Sequence, residues 1–258
     1  MIQTAGISKR CRQFLRLHKL QKGIPMFINL AGIILGILIS SLWIFLPLRR
    51  VPENIRLKKR TYVLSIIKGA TLCTLVIIIL ETVWDQVTGI PEGTVSTLAQ
   101  AAAAAFTRAA LLEEGAKYWF VRRAVKKDRP QGRVQYMLLA GTVGMGYGIT
   151  EKLVMGSAFA MLADAAFSLH TIFQFVSGWY LYEAAAAENT GKKRACSVKA
   201  FLVPFAVHGI WDFILMGTTL YITEDISVSA VACLLLLIAA VAGAAVSEVK
   251  MAKYLKRL

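Results

Sequence analysis

Residues 28–46 read INLAGIILGILISSLWIFL, without a single charged side chain. At about 1.5 Å per helical residue, such a run reaches across the roughly 30 Å hydrocarbon core of a bilayer. Ile66–Leu80 and Val228–Val246 repeat the pattern almost free of charge. Hydrophobic residues make up 57% of the 258-residue chain and charged residues 17%, whereas soluble domains average about half and about a quarter. Because the excess is clustered into long runs, the chain is neither a soluble globular enzyme nor a disordered polypeptide. The four cysteines, Cys11, Cys73, Cys196 and Cys233, are scattered, two of them inside apolar runs. That spacing argues against a disulfide scaffold.

The net charge is +15. Taken alone it would admit a nucleic-acid partner, but its distribution does not. Five clusters, Lys9–Lys22, Arg49–Arg60, Arg122–Arg133, Lys192–Lys199 and Lys250–Arg257, hold 26 of the 30 basic residues and separate apolar runs. This is the pattern of cytoplasmic loops facing anionic lipid headgroups. The partners expected are the lipid bilayer and membrane proteins, not nucleic acid.

About seven spans can be drawn, at 24–48, 62–84, 97–121, 134–156, 160–184, 200–221 and 226–247. The expected fold is all-α, a polytopic membrane helical bundle of about seven transmembrane helices, because backbone groups in lipid must be satisfied within each segment. Residues 1–23 form a basic N-terminal tail, and 24–258 a single transmembrane domain. The first span is not expected to be a cleaved signal: its core is too long, and Arg49 and Arg50 follow it rather than a small-residue cleavage site. The basic loops 49–61, 122–133 and 185–199 alternate with the loop 85–96, which carries Asp85 and Glu92, and with Glu224 and Asp225. Basic loops and the C-terminus are therefore expected in the cytoplasm. Seven spans then put the N-terminus outside, against the basic character of residues 1–23. An interfacial tail, a span count off by one, or a start at Met26 would each reconcile the two.

Ionisable side chains inside spans mark functional sites by default, because they are costly there. The third span carries Arg108, Glu113, Glu114 and Lys117, the fourth Glu151 and Lys152, the fifth Asp164 and His170, the sixth His208 and Asp212. Glu113 and Lys117 share a helix face and can pair. Glu114 points about 100° away. One lysine is not expected to balance both carboxylates, which leaves one of them to act as a base in a polar cavity. The bland reading is a helix end at the cytoplasmic interface. His208 and Asp212, four apart, offer two metal ligands or an imidazole oriented by a carboxylate. Pro204, four residues earlier, is expected to kink that helix beside the site. Gly141, Gly144 and Gly148 read as close helix contacts, and Tyr147 lies on one stripe with Glu151. A rise-per-residue estimate brings Glu114, His170 and His208 to similar depth and leaves Glu151 too far out.

Glu113-Glu114-x-x-Lys117, then Tyr147-x-x-x-Glu151, then His170, then His208-x-x-x-Asp212, resemble the EExxK, FxxxE, His and HxxxD/N motifs of the PrsW family of intramembrane proteases. That family is similar in turn to the type II CAAX prenyl endopeptidases and the bacteriocin-processing membrane proteases. The resemblance covers about 100–220. Three departures stand out: Tyr147 replaces the usual Phe, Lys152 follows Glu151 where the family often has Asn, and the basic tail before Met26 is unusual. The resemblance implies a bacterial, multi-pass plasma-membrane endopeptidase with its catalytic core at about 97–221. Its substrates would be single-span membrane proteins, anti-sigma factors among them. Catalytic roles fall to Glu113, Glu114, His170, His208 and Asp212, with Lys117, Tyr147 and Glu151 supporting them. His170, His208 and Asp212 would hold Zn²⁺ if a metal takes part. A metal-free site, with a glutamate base and His208 and Asp212 stabilising the oxyanion, is equally compatible. The rival readings are an ion-coupled transporter, which would tend to show an inverted repeat that the sequence lacks, and a non-enzymatic chaperone or immunity protein on the same fold.

The charge alternation makes a topological prediction. Reporters fused after Arg129 and Lys193 should register as cytoplasmic, and reporters at Glu92 and Glu224 as external. The reverse pattern would invert the layout.

Overall fold

A computed structural model describes residues 26–49, 51–53, 56–90, 95–155 and 168–221. Its elements are helices throughout, with no strand among the described residues. Helix α1 is Met26–Arg49, and α2 is Lys59–Thr88, with a widened π turn at Gly69–Cys73. Helix α3 runs over 98–128, with a longer π segment at Ala104–Ala110. Helices α4 (Arg133–Met155), α5 (Leu169–Ala185) and α6 (Thr190–Tyr221) follow. Among the described residues, three stretches are long and apolar enough to cross a membrane: Leu30–Arg49, Lys59–Thr88 and Thr190–Gly217. Charges, glycines and polar residues interrupt the apolar surface of α3 and α4, and α5 is described over 17 residues only. The seventh expected span at 226–247, the first part of the fifth and the tail 1–23 lie outside the described residues.

Local signals set the helix ends. Thr97 caps α3 by accepting a hydrogen bond from the Gln100 amide at 3.2 Å, while the Gln100 side chain returns to Ser96. Helix α2 stops at Gly89, whose φ of 65° lies in the left-handed region and whose amide bonds back to the Asp85 carbonyl. Two expected loops are corrected. The basic stretch Arg122–Lys127 belongs to α3, and α6 begins at Thr190, so that Lys192–Lys199 is helical rather than a loop. Lysine, arginine and alanine are good helix formers, and the Asn189 side chain caps α6 by accepting from the Lys192 amide at 2.7 Å. Charge does not mark the helix boundary there.

Helix α4 lies at the centre. On α1, Gly36, Ser40, Ile44 and Leu48 form a buried stripe at four-residue spacing, and α1 packs on α4. The opposite side exposes Leu30, Ile34, Leu38 and Leu42, and α2 similarly exposes Leu72, Leu75, Ile79 and Val83. These leucine-rich faces suit lipid, where apolar exposure carries no penalty. One core cluster joins Ile44, Leu48 and Tyr62 to Val134, Leu138, Met145 and Phe175. Pro204 lies within α6, which continues through it. The expected opening is not seen as a break in the helix. Phe205 beside it packs edge-on against Phe106, at 6.0 Å between ring centroids.

The glycines of α4 set how closely its neighbours approach. A methyl group at Gly144 would overlap the His170 carbonyl, and one at Gly146 would overlap the Ile66 carbonyl. Thr150 Oγ1 donates to the Ala70 carbonyl at 2.9 Å, beside the π turn of α2. Close backbone contact of this kind is what small residues supply between membrane helices. Gly144→Ala and Gly146→Ala should therefore each cost about 1–3 kcal/mol through overpacking against main chain. Gly115, with nothing within 4 Å of an added methyl, should tolerate alanine or gain up to about 1 kcal/mol. Thermal unfolding in detergent checks both. Equal effects at the three positions would refute the packing assignment.

Candidate active site

Helix α3 presents Glu113, Glu114 and Lys117 inward, all buried, with Lys117 fully inaccessible. Lys117 Nζ donates to Glu113 Oε2 at 2.9 Å and to Glu114 Oε1 at 2.8 Å. The expectation that one lysine could not serve both carboxylates is corrected. Spacings of three and four residues both bring a side chain onto the same helix face, and the long lysine stem reaches between them. The same ammonium lies 3.1 Å from His170 Nδ1 and 4.1 Å from the centre of the Tyr147 ring.

Helix α5 begins just before His170. Ser168 precedes the helix with φ of 39°, a left-handed backbone that a non-glycine residue adopts at some cost. Helices α4 and α5 run antiparallel, so the last turns of α4 lie beside the first turn of α5. That places Glu151 against His170, with Oε2 2.7 Å from Nε2. The depth estimate that left Glu151 outside the site is corrected: consecutive antiparallel helices pair end to start, whatever the distance back to the opposite loop. Lys152, which departs from the family pattern, pairs with Glu151 Oε2 at 2.9 Å.

His170 has a definable tautomer. An ammonium has donors only, so Nδ1 accepts from Lys117, and the ring proton sits on Nε2, donating to Glu151. His208 from α6 places Nδ1 2.9 Å from Glu114 Oε1. Its Nε2 lies 3.2 Å from Asp212 Oδ2 and 4.0 Å from Glu113 Oε2. Carboxylates on both ring nitrogens fix the orientation of the imidazole. The two histidine rings meet edge to face at 5.5 Å, with Phe173 5.4 Å from His208 and Tyr147 5.0 Å from His170. The aromatic side chains of α4 and α5 thus wall the polar cluster.

One donor atom from each of Glu113, Glu114, His170 and His208 lies within 4.8 Å of the others. Buried nitrogen and oxygen donors of this kind suit a divalent cation. This group differs from the expected ligands His170, His208 and Asp212. Asp212 stands behind His208, while the two glutamates share the centre. Gln174 is a residue that sequence reasoning missed. Its Nε2 donates to Glu114 Oε2 at 2.7 Å, and it is buried. The available signal was its position four residues after His170, on the same face of α5. Asp164 lies outside the described residues.

A polytopic helical bundle that buries an acid–histidine–lysine cluster between its helices defines a class of membrane protein with an intramembrane polar centre. The model of the PrsW family intramembrane metalloprotease matches residues 58–244, and the chain belongs to that family. It is 35% identical over 120 residues to Protease PrsW of Oceanobacillus iheyensis, covering 44% of this chain and 54% of that one. To Protease PrsW of Geobacillus kaustophilus it is 31% identical over 129 residues, covering 46% and 55%. To Protease PrsW of Clostridioides difficile it is 26% identical over 124 residues, covering 43% and 51%. The chain thus spans about half the length of the curated relatives it matches. No solved structure matches it.

Gln174 supplies a prediction about the site's framework. Gln174→Leu removes the donor to Glu114 Oε2, and a hydrogen bond to a buried charged group contributes about 1.5–3 kcal/mol. The unfolding midpoint should fall accordingly. A Gln174→Leu protein as stable as the parent would show that the bond carries no load.

Proposed function

We propose that this chain is an intramembrane endopeptidase that hydrolyses peptide bonds of single-span membrane proteins. The observation that carries the reading is the buried group Glu113, Glu114, His170 and His208, whose donor atoms lie within 4.8 Å of one another. Two carboxylates and two imidazoles brought together at such cost inside an apolar bundle mark a reacting centre rather than a structural contact. Membership of the family supports the same activity. Its resemblance points to anti-sigma factors as one substrate class. The relatives are bacterial, which supports a multi-pass protein of the bacterial plasma membrane, with basic segments and C-terminus toward the cytoplasm.

The two glutamates divide the work. Glu114 is bound at both oxygens, by Lys117 and His208 at Oε1 and by Gln174 at Oε2. That engagement makes it the anchor that positions His208. Glu113 is bound by Lys117, and its Oε2 lies 4.0 Å from His208 Nε2. Glu113 is the better base: it takes a proton from the attacking water and returns it to the leaving amine. His208, oriented by Asp212 and Glu114, stands beside that transfer. Lys117 supplies positive charge where an oxyanion develops. Should a divalent metal bind, Glu113, Glu114, His170 and His208 would hold it, and it would supply Lewis-acid activation of water.

Membrane proteomes of cells with the parent protein and with Glu113→Gln should differ in the fragments of single-span proteins. With one such substrate purified, Glu113→Gln and His208→Ala should each lower the cleavage rate by about 10²–10⁴, the usual value of a positioned proton-transfer group. Both variants should still insert and purify as monodisperse species. Cleavage near the parental rate in both, or no cleavage by the parent, would overturn the reading.

A further inference from the structure

We propose that the Lys117 ammonium is the resident cation of this site, so that Lys117 and a divalent metal are alternative occupants of it. The inference rests on reading the four-residue cluster as the site, but not on proteolysis itself.

The argument is an account of lone pairs. Metal-ligating histidines characteristically give one nitrogen to the ion and donate the other N–H to a carboxylate. His170 has that arrangement, with the N–H of Nε2 directed at Glu151 at 2.7 Å. In the cation's position on Nδ1 stands Lys117 Nζ, at 3.1 Å. The same Nζ lies 2.9 Å from Glu113 Oε2 and 2.8 Å from Glu114 Oε1. Three of the four residues whose donors are grouped for a metal therefore already face one ammonium. The fourth, His208, has Nδ1 at Glu114 and Nε2 at Asp212.

Nothing in the surroundings shares Lys117 with solvent. Its side chain is 0% exposed, and the face of the Tyr147 ring lies 4.1 Å from Nζ, a further attraction for a cation. A divalent ion would need the Nδ1 lone pair and the carboxylate oxygens that Nζ now engages. It would also meet a fixed positive charge at close range in apolar surroundings, where Coulomb repulsion is weakly screened. Metal entry therefore requires Lys117 to leave. The lysine of Glu-Glu-x-x-Lys sets the metal affinity of the site, not only the pairing of its glutamates.

The test reads metal occupancy. Parent, Lys117→Met and Lys117→Arg proteins are purified in detergent and titrated with Zn²⁺ by equilibrium dialysis, and with Co²⁺ by visible absorption. Lys117→Met should bind one equivalent more tightly than the parent, on the order of 10–100-fold, the range that changes beside metal ligands produce. Lys117→Arg keeps the cation and should stay at the parental level. Equal affinity in parent and Lys117→Met, or no binding by Lys117→Met, overturns the proposal. If Lys117→Met does not yield folded protein, the parent alone decides. A small amine-reactive reagent should leave Lys117 unmodified without metal. Zn²⁺ bound stoichiometrically while Lys117 stays protected overturns the proposal. Supporting results are labelling of Lys117 that rises as Zn²⁺ binds, or no Zn²⁺ binding up to millimolar concentration. Because these readouts are independent of peptide cleavage, failure here leaves the endopeptidase reading standing, and failure of that reading leaves this one decidable.

Discussion

Two glutamates at successive positions in an apolar bundle would repel each other and resist burial unless a cation stood between them. Lys117 is that cation, and the surrounding architecture can be understood as the means of keeping it there. Breaking a buried ion pair by removing one partner typically costs several kcal/mol, because the remaining charge is stranded. Here a single ammonium serves two carboxylates and an imidazole, so its loss would strand more than one group. Helix α5 brings His170 and Gln174 to the cluster, α6 brings His208, and α4 supplies the Tyr147 ring.

Much of this was legible in the sequence, for a definite reason. Charges within apolar runs are expensive, so Glu113, Glu114, Lys117, His170, His208 and Asp212 announced themselves by location. The four-residue spacings then fixed which of them share a face. What was not legible depends on relations between helices. Glu151 joins His170 because α4 and α5 pair end to start, and no periodicity within one helix carries that register. Gln174 is uncharged and carries little signal on its own, yet it holds half of the Glu114 carboxylate. The extents of α3 and α6 were misjudged because basic residues were treated as loop, although they extend helices readily.

A second polar group ties α2 to α3. Arg108 Nε lies 2.8 Å from Asp85 Oδ1, Nη1 lies 3.4 Å from Glu81 Oε1, and the Trp84 indole donates to Thr107 at 3.1 Å. Arg108 and Thr107 lie in the widened segment Ala104–Ala110, one turn before the glutamates. Such π segments shift the helical register locally and are frequent near functional sites. The ion pair therefore pins α3 next to the turn that determines which way Glu113 and Glu114 face. Glycines perform the complementary task on α4, where the absence of side chains lets the His170 backbone and α2 come close.

The cluster draws its members from four helices, with Glu113 and Glu114 on α3 and His208 on α6. During synthesis at about 5–20 residues per second, His208, 95 positions after Glu113, emerges roughly 5–20 s later. Until α6 docks, Glu114 lacks its histidine, and the polar centre is unfinished while earlier helices already lie in lipid. A nascent chain therefore completes this polar centre only when α6, the last of the described helices, has emerged and packed against α3 and α5.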